Sequence, residues 1–118
     1  MRHGNHKYNL GVKPAHRTAI IKNLAIEVFE HGKIKTTHAR CMALRSYVEK
    51  LITLAKVDSV HNRRVAYSKL NNDSAVTNLF NTVAPKFKTR NGGYTRVIKI
   101  AEGRVGDNAK MSYFALVE

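Results

Sequence analysis

The sequence contains few of the residues on which many secreted proteins and metalloproteins depend. It has one cysteine and no tryptophan among its 118 residues. Because Cys41 has no partner in the chain, it cannot close an intrachain disulfide, and without a Cys-x-x-Cys motif it cannot form part of a zinc knuckle. The sequence contains no tryptophan and only 8% aromatic residues, so it does not indicate a base-stacking surface. These absences favour a protein of a reducing compartment.

Acidic residues are also scarce. The chain has 8 Asp and Glu against 21 Lys and Arg, which gives a formal net charge of +13. A free protein with this imbalance is destabilised by self-repulsion, so the composition indicates a polyanionic partner. Nucleic acid is the commonest polyanion, because each phosphate that Lys or Arg neutralises releases condensed counterions. Counterion release does not distinguish RNA from DNA, so the charge alone leaves both open.

Long hydrophobic runs are absent. No apolar stretch approaches the ~18 residues of a membrane-spanning helix. The sequence begins with the basic and polar residues 1 to 7, and no apolar segment of a secretory signal follows them. We therefore expect a cytoplasmic protein without a membrane partner.

No group of residues predicts catalysis, and we expect no cofactor, metal or small-molecule substrate. Glu27 and Glu30 form the only close pair of acids, and such a pair is more typical of partners for Lys22 or His31 than of a metal-dependent nuclease. The histidines near the start of the chain lack the cysteine that would complete a closed zinc site. Neither a Gly-x-Ser-x-Gly motif nor the Gly-Lys-Ser/Thr ending of a phosphate-binding loop occurs.

Local signals predict four helices between residues 14 and 85. The signals are a proline in the first turn, a polar residue before the helix, a glycine after the last turn, or a proline that ends the helix. They are Pro14 and Gly32 for the first helix, Thr37 for the second, Asp58 or Ser59 for the third, and Asn72-Asp73-Ser74 and Pro85 for the fourth.

Apolar residues recur within these helices at spacings of three and four, which places them on one face of each helix. We expect these faces to form the core. The apolar positions are Ile20, Ile21, Leu24, Ala25, Val28 and Phe29 in the first helix; Cys41, Leu44, Val48, Leu51, Ile52 and Ala55 in the second; Val60, Val65 and Ala66 in the third; and Ala75, Val76, Leu79, Phe80 and Val83 in the fourth.

Three short segments predict strands. Residues 34 to 36 are rich in β-branched side chains, residues 94 to 100 alternate with a period of two, and residues 111 to 117 are mostly apolar. The last two predict a hairpin that the first strand joins, with helices on one side. We therefore predict an α+β fold. It is a single domain, residues 14–118, of about four helices packed on a small two- to three-stranded, mostly antiparallel sheet, after an extended basic tail, residues 1–13. Tyr94, Arg96, Ile98 and Ile100 are predicted to share one strand face.

Two groups of basic residues have no acid near them in sequence. The first acid of the chain is Glu27, so the tail and the start of the first helix carry uncompensated positive charge. No acid lies between Asp73 and Glu102, where a basic loop surrounds Gly92 and Gly93. These glycines permit positive φ angles, and their backbone N–H groups can approach a phosphate closely.

Two further candidates have alternative interpretations. The Arg63-Arg64 doublet can bind phosphate, or one of the two can pair with Asp58 or Glu49. Tyr94 can stack on a base or pack beneath the hairpin. With the histidines, which can hydrogen-bond or stack against RNA, these side chains complete the set of predicted nucleic-acid contacts: Arg2, His3, Lys7, Lys13, His16, Arg17, Lys35, Arg45, Arg63, Arg64, Lys88, Arg90, Tyr94 and Arg96.

Ordered segments along the whole sequence, from Met1 to Glu118, resemble the family of bacterial ribosomal protein seventeen of the large subunit. They are Met1-Arg2-His3, Leu10, His16-Arg17, Asn23-Leu24, Ile34-Lys35-Thr36-Thr37, Leu44-Arg45, Leu51-Ile52-Thr53-Leu54-Ala55-Lys56, Asp58, Arg63-Arg64, Leu79-Phe80, Gly92-Gly93-Tyr94-Thr95-Arg96, Gly106-Asp107-Asn108-Ala109 and Met111.

The resemblance implies a structural constituent of the large ribosomal subunit without catalytic activity. It implies binding to large-subunit ribosomal RNA, contacts with neighbouring ribosomal proteins and a position on the solvent side near the exit of the peptide tunnel. It also implies an α+β fold with a basic N-terminal extension. The residues alone leave a DNA-binding architectural protein as the alternative, because the charge pattern serves either nucleic acid.

Overall fold

The structure, a computed structural model, describes residues 13 to 117. These residues form four helices and three short strands. The predicted tail, except for Lys13, lies outside these residues. In chain order the elements are α1 (Pro14–His31), β1 (Lys33–Thr37), α2 (His38–Ala55), α3 (Val60–Leu70), α4 (Asp73–Asn78, continuing through Leu79–Val83 and Ala84–Lys86), β2 (Thr95–Lys99) and β3 (Met111–Leu116).

Helix α1 begins and ends where the sequence predicts. Lys13 precedes it with an extended backbone, and Pro14 occupies its first position, where the missing N–H costs nothing. Gly32 follows the last turn with a φ of 82°, and its N–H donates to the Val28 carbonyl at 2.8 Å. A side chain is strained at this φ, so the glycine is what allows the chain to turn directly into β1.

Helix α2 forms the centre of the core. It contacts α1, α3, the second half of α4 and all three strands. Thr37 precedes the helix as expected, but its hydroxyl forms no capping hydrogen bond. The prediction of its apolar face is confirmed, because all six predicted positions are buried: Cys41, Leu44, Val48, Leu51, Ile52 and Ala55.

The start of α3 confirms one prediction and corrects another. Ser59 caps the helix, since its hydroxyl accepts from the Asn62 N–H at 3.1 Å. The prediction that Val60 belongs to the core is wrong, because its side chain is 68% exposed. Val60 precedes the buried Ala66 by six residues, which places it roughly 120° away around the helix.

Helix α4 passes through the proline that was predicted to end it. Of the three capping candidates Asn72, Asp73 and Ser74, Asn72 caps the start, and its side chain accepts from the Ala75 N–H at 2.9 Å. Pro85 lies within the last turn, and the helix ends at Lys86. The preceding segment, Leu79–Val83, is a π-helical turn. This wider turn accommodates the proline ring, which would clash with the preceding turn of a regular α-helix.

The strands form one antiparallel sheet in the order β1-β3-β2. The predicted hairpin, the third strand and the helices on one side are confirmed, and with them the α+β class. Thr36, Ser112 and Phe114 are buried on the face that the helices cover. There the Nδ1 atom of His38 lies 2.8 Å from the Ser112 hydroxyl, so the one buried serine of the sheet has a partner.

Cys41 is completely buried beneath β3, where its thiol donates weakly to the Ser112 carbonyl. Burial raises the pKa of the thiol to about 11, against an unfolded value of 9.0. We expect the folded protein to resist a disulfide reagent at pH 8, because only the thiolate is a nucleophile. Because the folded pKa is the higher one, the free energy of unfolding should fall as the pH rises from 9 towards about 11.

The measurement for this prediction is the rate of reaction with dithionitrobenzoate, with and without guanidinium chloride. In the denaturant the thiol should react at the rate of a free cysteine. An equally fast reaction without denaturant would show that β3 does not cover Cys41.

Candidate nucleic-acid interface

The predicted contact residues lie on several surfaces of the structure. Three of them, Arg2, His3 and Lys7, precede the described residues. The others lie at the start of α1 (Lys13, His16 and Arg17), between α2 and the loop before β2 (Arg45, Arg90 and Tyr94), on α3 (Arg63 and Arg64), in the loop after α4 (Lys88) and on the sheet (Lys35 and Arg96).

The start of α1 concentrates positive charge. Lys13 and His16 are exposed, Arg17 is half-buried, and the first turn of the helix contains no acid. The partial positive charge at a helix N-terminus adds to that of the side chains. This end of the molecule therefore attracts anions.

A cleft of about 470 Å³ lies between α2 and the turn before β2. Gly92 and Gly93 in this turn have φ angles of 96° and 62°, as their sequence predicts. Within residues 13 to 117, no atom would lie within 4 Å of a Cβ at either glycine, so the backbone of the turn faces open space. We call this site the glycine-turn cleft; it is lined by Arg45, Ser46, Glu49, Lys50, Thr53, Gly92 and Tyr94.

Side chains hold the turn beside α2. Arg90 donates to the Gly93 carbonyl at 3.2 Å, and the Lys56 ammonium donates to the Arg90 carbonyl. One carboxylate oxygen of Glu49 accepts from the Thr95 N–H at 3.2 Å and from the Thr95 hydroxyl at 2.8 Å. The only acid of the cleft lining is therefore engaged in fixing the start of β2.

Tyr94 packs beneath the hairpin, which decides between the two alternatives left open by the sequence. Its side chain is 2% exposed, and its ring centroid lies 5.3 Å from that of Phe87. The Lys56 ammonium lies 4.8 Å from the ring centroid and, with the Thr53 hydroxyl, holds the pKa of Tyr94 below its usual range. Tyr94 precedes β2, so it does not share the exposed face of Arg96, and no ring face is open to a base. Its prediction as a stacking residue is corrected.

The two arginines of α3 have different environments. Arg63 forms a bidentate pair with Asp58, at 2.6 and 2.9 Å, and also donates to the Asn81 side chain at 3.0 Å. The hydrogen bonds from Arg63 hold the pKa of the Asp58 carboxyl below its usual range. Arg64 is exposed. The internal pairing that the sequence left open therefore applies to Arg63, and Arg64 is the better candidate for a phosphate contact.

The outer face of the sheet brings together cations that the sequence analysis considered separately. Directly paired residues of antiparallel strands point to the same side, and the register pairs Lys35 with Tyr113 and Arg96 with Ala115. Lys33 and Tyr113, which the sequence analysis did not select, lie on this side too, with the Lys33 ammonium 5.4 Å from the ring centroid. The alternation of side chains along each strand predicts which residues of that strand share a face. It does not predict which residues of different strands lie side by side on that face. We call it the open sheet face; its members are Lys33, Lys35, Arg96, Ile98, Tyr113 and Ala115.

The acids of α1 lie beside a histidine of the same helix. The Nε2 atom of His31 lies 3.2 Å from a carboxylate oxygen of Glu27 and 3.9 Å from one of Glu30. All three side chains are exposed, as expected for solvent-facing partners. Within residues 13 to 117, no helix combines the length and the apolar character needed to span a membrane.

These features define a class: small, basic α+β binding proteins with cations on several surfaces. A family model described as "Ribosomal protein L17" matches residues 20–117. The chain is 44% identical over 126 residues to "Large ribosomal subunit protein bL17" of Opitutus terrae. This match covers 100% of this chain and 74% of the relative. Proteins of the same name in Flavobacterium johnsoniae and Flavobacterium psychrophilum are each 46% identical over 118 residues, covering 100% of this chain and 72% of the relative.

The chain belongs to the ribosomal protein L17 family. This membership confirms the resemblance drawn from the sequence segments. The family is one of structural components, so the prediction that the chain is not an enzyme is confirmed as well.

Proposed function

We propose that this protein is a structural constituent of the large ribosomal subunit and binds large-subunit ribosomal RNA. Family membership supports the ribosomal role. The observation that carries the RNA-binding part is the glycine-turn cleft, where exposed cations of α2 stand beside an unobstructed backbone turn. The formal net charge of +13 also supports RNA binding, because a polyanionic partner relieves the self-repulsion of the protein.

The cleft suits a phosphate because its two exposed cations outnumber its one acid, which is held to one side. Arg45 and Lys50 are exposed on α2. Glu49, which lies between them, has its carboxylate turned to Thr95. The N–H groups of a glycine turn can approach a phosphate oxygen without a Cβ in the way. A strand of RNA passing through the cleft would therefore meet the positive charge of the helix beside a turn whose backbone it can approach closely.

We also propose a two-part organisation, with residues 1–13 as an RNA-binding tail and residues 14–118 as the folded domain. The cations at the start of α1 support this, because they continue the basic character of the tail into the fold. In this proposal the protein acts in the cytoplasm as part of the ribosome, on the solvent side of the large subunit near the exit of the peptide tunnel. It also contacts neighbouring ribosomal proteins there.

Sucrose-gradient sedimentation of a lysate from cells expressing the tagged protein tests the proposal. We expect the protein to co-migrate with large subunits at moderate and at high salt, because a component built into the subunit stays in place even though each phosphate contact weakens as the salt concentration rises. Ribonuclease should release it, and deoxyribonuclease, as the matched control, should not. Recovery only in free fractions, or in fractions that deoxyribonuclease disperses, would overturn the proposal in favour of a DNA-binding architectural protein.

A further inference from the structure

The open sheet face exposes an aromatic ring at its centre. Tyr113 lies on β3, the middle strand, and its side chain is 36% exposed. Its directly paired neighbours are Lys35 on β1 and Ile98 on β2, and Ile98 is 49% exposed. The helices pack on the opposite face of the sheet, around Phe114 and Ser112. The ring is therefore presented outward on a rigid three-stranded support.

Positive charge flanks this ring on both sides. Lys33 and Lys35 project from β1 and Arg96 from β2, and the three strands contain no Asp or Glu. The two outer strands are separated by two inter-strand spacings, roughly 10 Å. A depression of about 310 Å³ beside Arg96 is lined in part by Ile98 and Ala115, so an apolar floor adjoins the cation.

We propose that the open sheet face binds an unpaired segment of RNA, with one base stacked on Tyr113 and the adjoining phosphates at Lys35 and Arg96. This inference rests on the proposed RNA-binding function and names the kind of RNA that this face recognises. Aromatic side chains stack only on bases that are free of a helix, as in loops, bulges and strand ends. A double helix offers its phosphates to the cations but no base to the ring.

The contact between Lys33 and Tyr113 does not block this site. An exposed cation–π contact is weak, and a lysine side chain has a long flexible stem. Base stacking on an aromatic ring is the stronger interaction. The Lys33 ammonium, 5.4 Å from the ring centroid, can therefore leave the ring when a base arrives and turn to the neighbouring phosphate.

A protein partner fits this face less well. Interface cores are depleted of lysine and other charges, whereas this face combines one aromatic ring with three cations of the same sign. A protein would have to supply three acids around an apolar contact. Single-stranded nucleic acid supplies phosphates and a planar base in every nucleotide.

The test uses the full chain and one RNA strand in two forms. The strand is an alternating adenosine–cytidine RNA of about 12 nucleotides, within the range of single-strand site sizes, bound alone and after annealing to its complement. Affinities are measured by fluorescence anisotropy for the unmodified protein, Tyr113→Ala and Tyr113→Phe. Tyr67→Ala, which removes another exposed tyrosine, on α3, is the matched control. Circular dichroism checks that each variant is folded.

We expect Tyr113→Ala to weaken binding of the single strand by about 10-fold and to change binding of the duplex by less than about twofold. Tyr113→Phe keeps the ring and should restore single-strand affinity, and Tyr67→Ala should leave both affinities unchanged. If the protein binds RNA and Tyr113→Ala weakens neither form, or weakens both equally, the inference is wrong and the proposed function stands. If Tyr113→Ala leaves both RNA affinities unchanged but reduces co-migration with large subunits on the sucrose gradient, the face binds a protein and the inference is equally wrong. Failure of the unmodified protein to bind either RNA would overturn both.

Discussion

Replacing Phe114 by alanine should lower the free energy of unfolding by about 3 to 5 kcal/mol. Phe114 is completely buried on β3, paired with Ile34 on one side and Val97 on the other. Its ring fills the space between the sheet and the helices, so truncation loses the transfer free energy of the ring and leaves a cavity. Small domains are stable by only about 5 to 15 kcal/mol, and the variant should therefore lose a large part of its stability.

Urea denaturation followed by circular dichroism measures this effect. Tyr113→Ala is the matched control, because Tyr113 is the adjacent residue on the same strand and lies on the opposite face. Its loss should change the free energy of unfolding by less than about 1 kcal/mol. Equal losses in the two variants would contradict the assignment of the covered and open faces of the sheet.

Replacing Arg45 and Lys50 by glutamine should weaken RNA binding about 30-fold at about 0.1 M salt and lower the slope of log affinity against log salt by about 1.5. Both residues are exposed in the glycine-turn cleft, so the double variant removes two phosphate contacts and leaves the core unchanged. Each lost contact reduces the number of counterions released on binding, which is why the affinity and the slope fall together.

Anisotropy titrations over a series of salt concentrations measure both quantities. The control is a double variant with Lys22→Gln and Lys69→Gln, which removes the same net charge from α1 and α3, away from the cleft lining. It should retain most of the affinity. If the two double variants behave alike, net charge rather than the glycine-turn cleft accounts for binding.

The helical part of the fold is readable from the sequence because its signals are local. The apolar face of α2, from Cys41 to Ala55, follows from the spacing of its residues alone. The end of α1 at Gly32 and the start of α4 among Asn72, Asp73 and Ser74 also follow from local signals. Pro85 misleads because the π-helical turn before it, which accommodates the ring, has no comparable sequence signal.

The surfaces are much less readable, because they depend on contacts between distant parts of the chain. Arg45 and Gly92 were selected from separate segments, and the fold places both in one cleft. Tyr113 was not selected, since only the register of β3 with β1 sets it beside Lys33 and Lys35. The low aromatic content argued against a base-stacking surface, but one ring on the open side of a sheet needs no aromatic enrichment.

The position of β3 has a consequence for how the protein is made. This strand is the last of the three to be synthesised, yet it is the middle one, and β1 and β2 do not pair with each other. A nascent chain can form its helices early, but both outer strands must wait for residues 111 to 116 before any ladder hydrogen bond forms. Until then their unpaired edges are templates for aggregation. The excess of positive charge opposes the association of newly made chains during this interval. The charge on which the proposed RNA binding rests therefore also limits aggregation during synthesis.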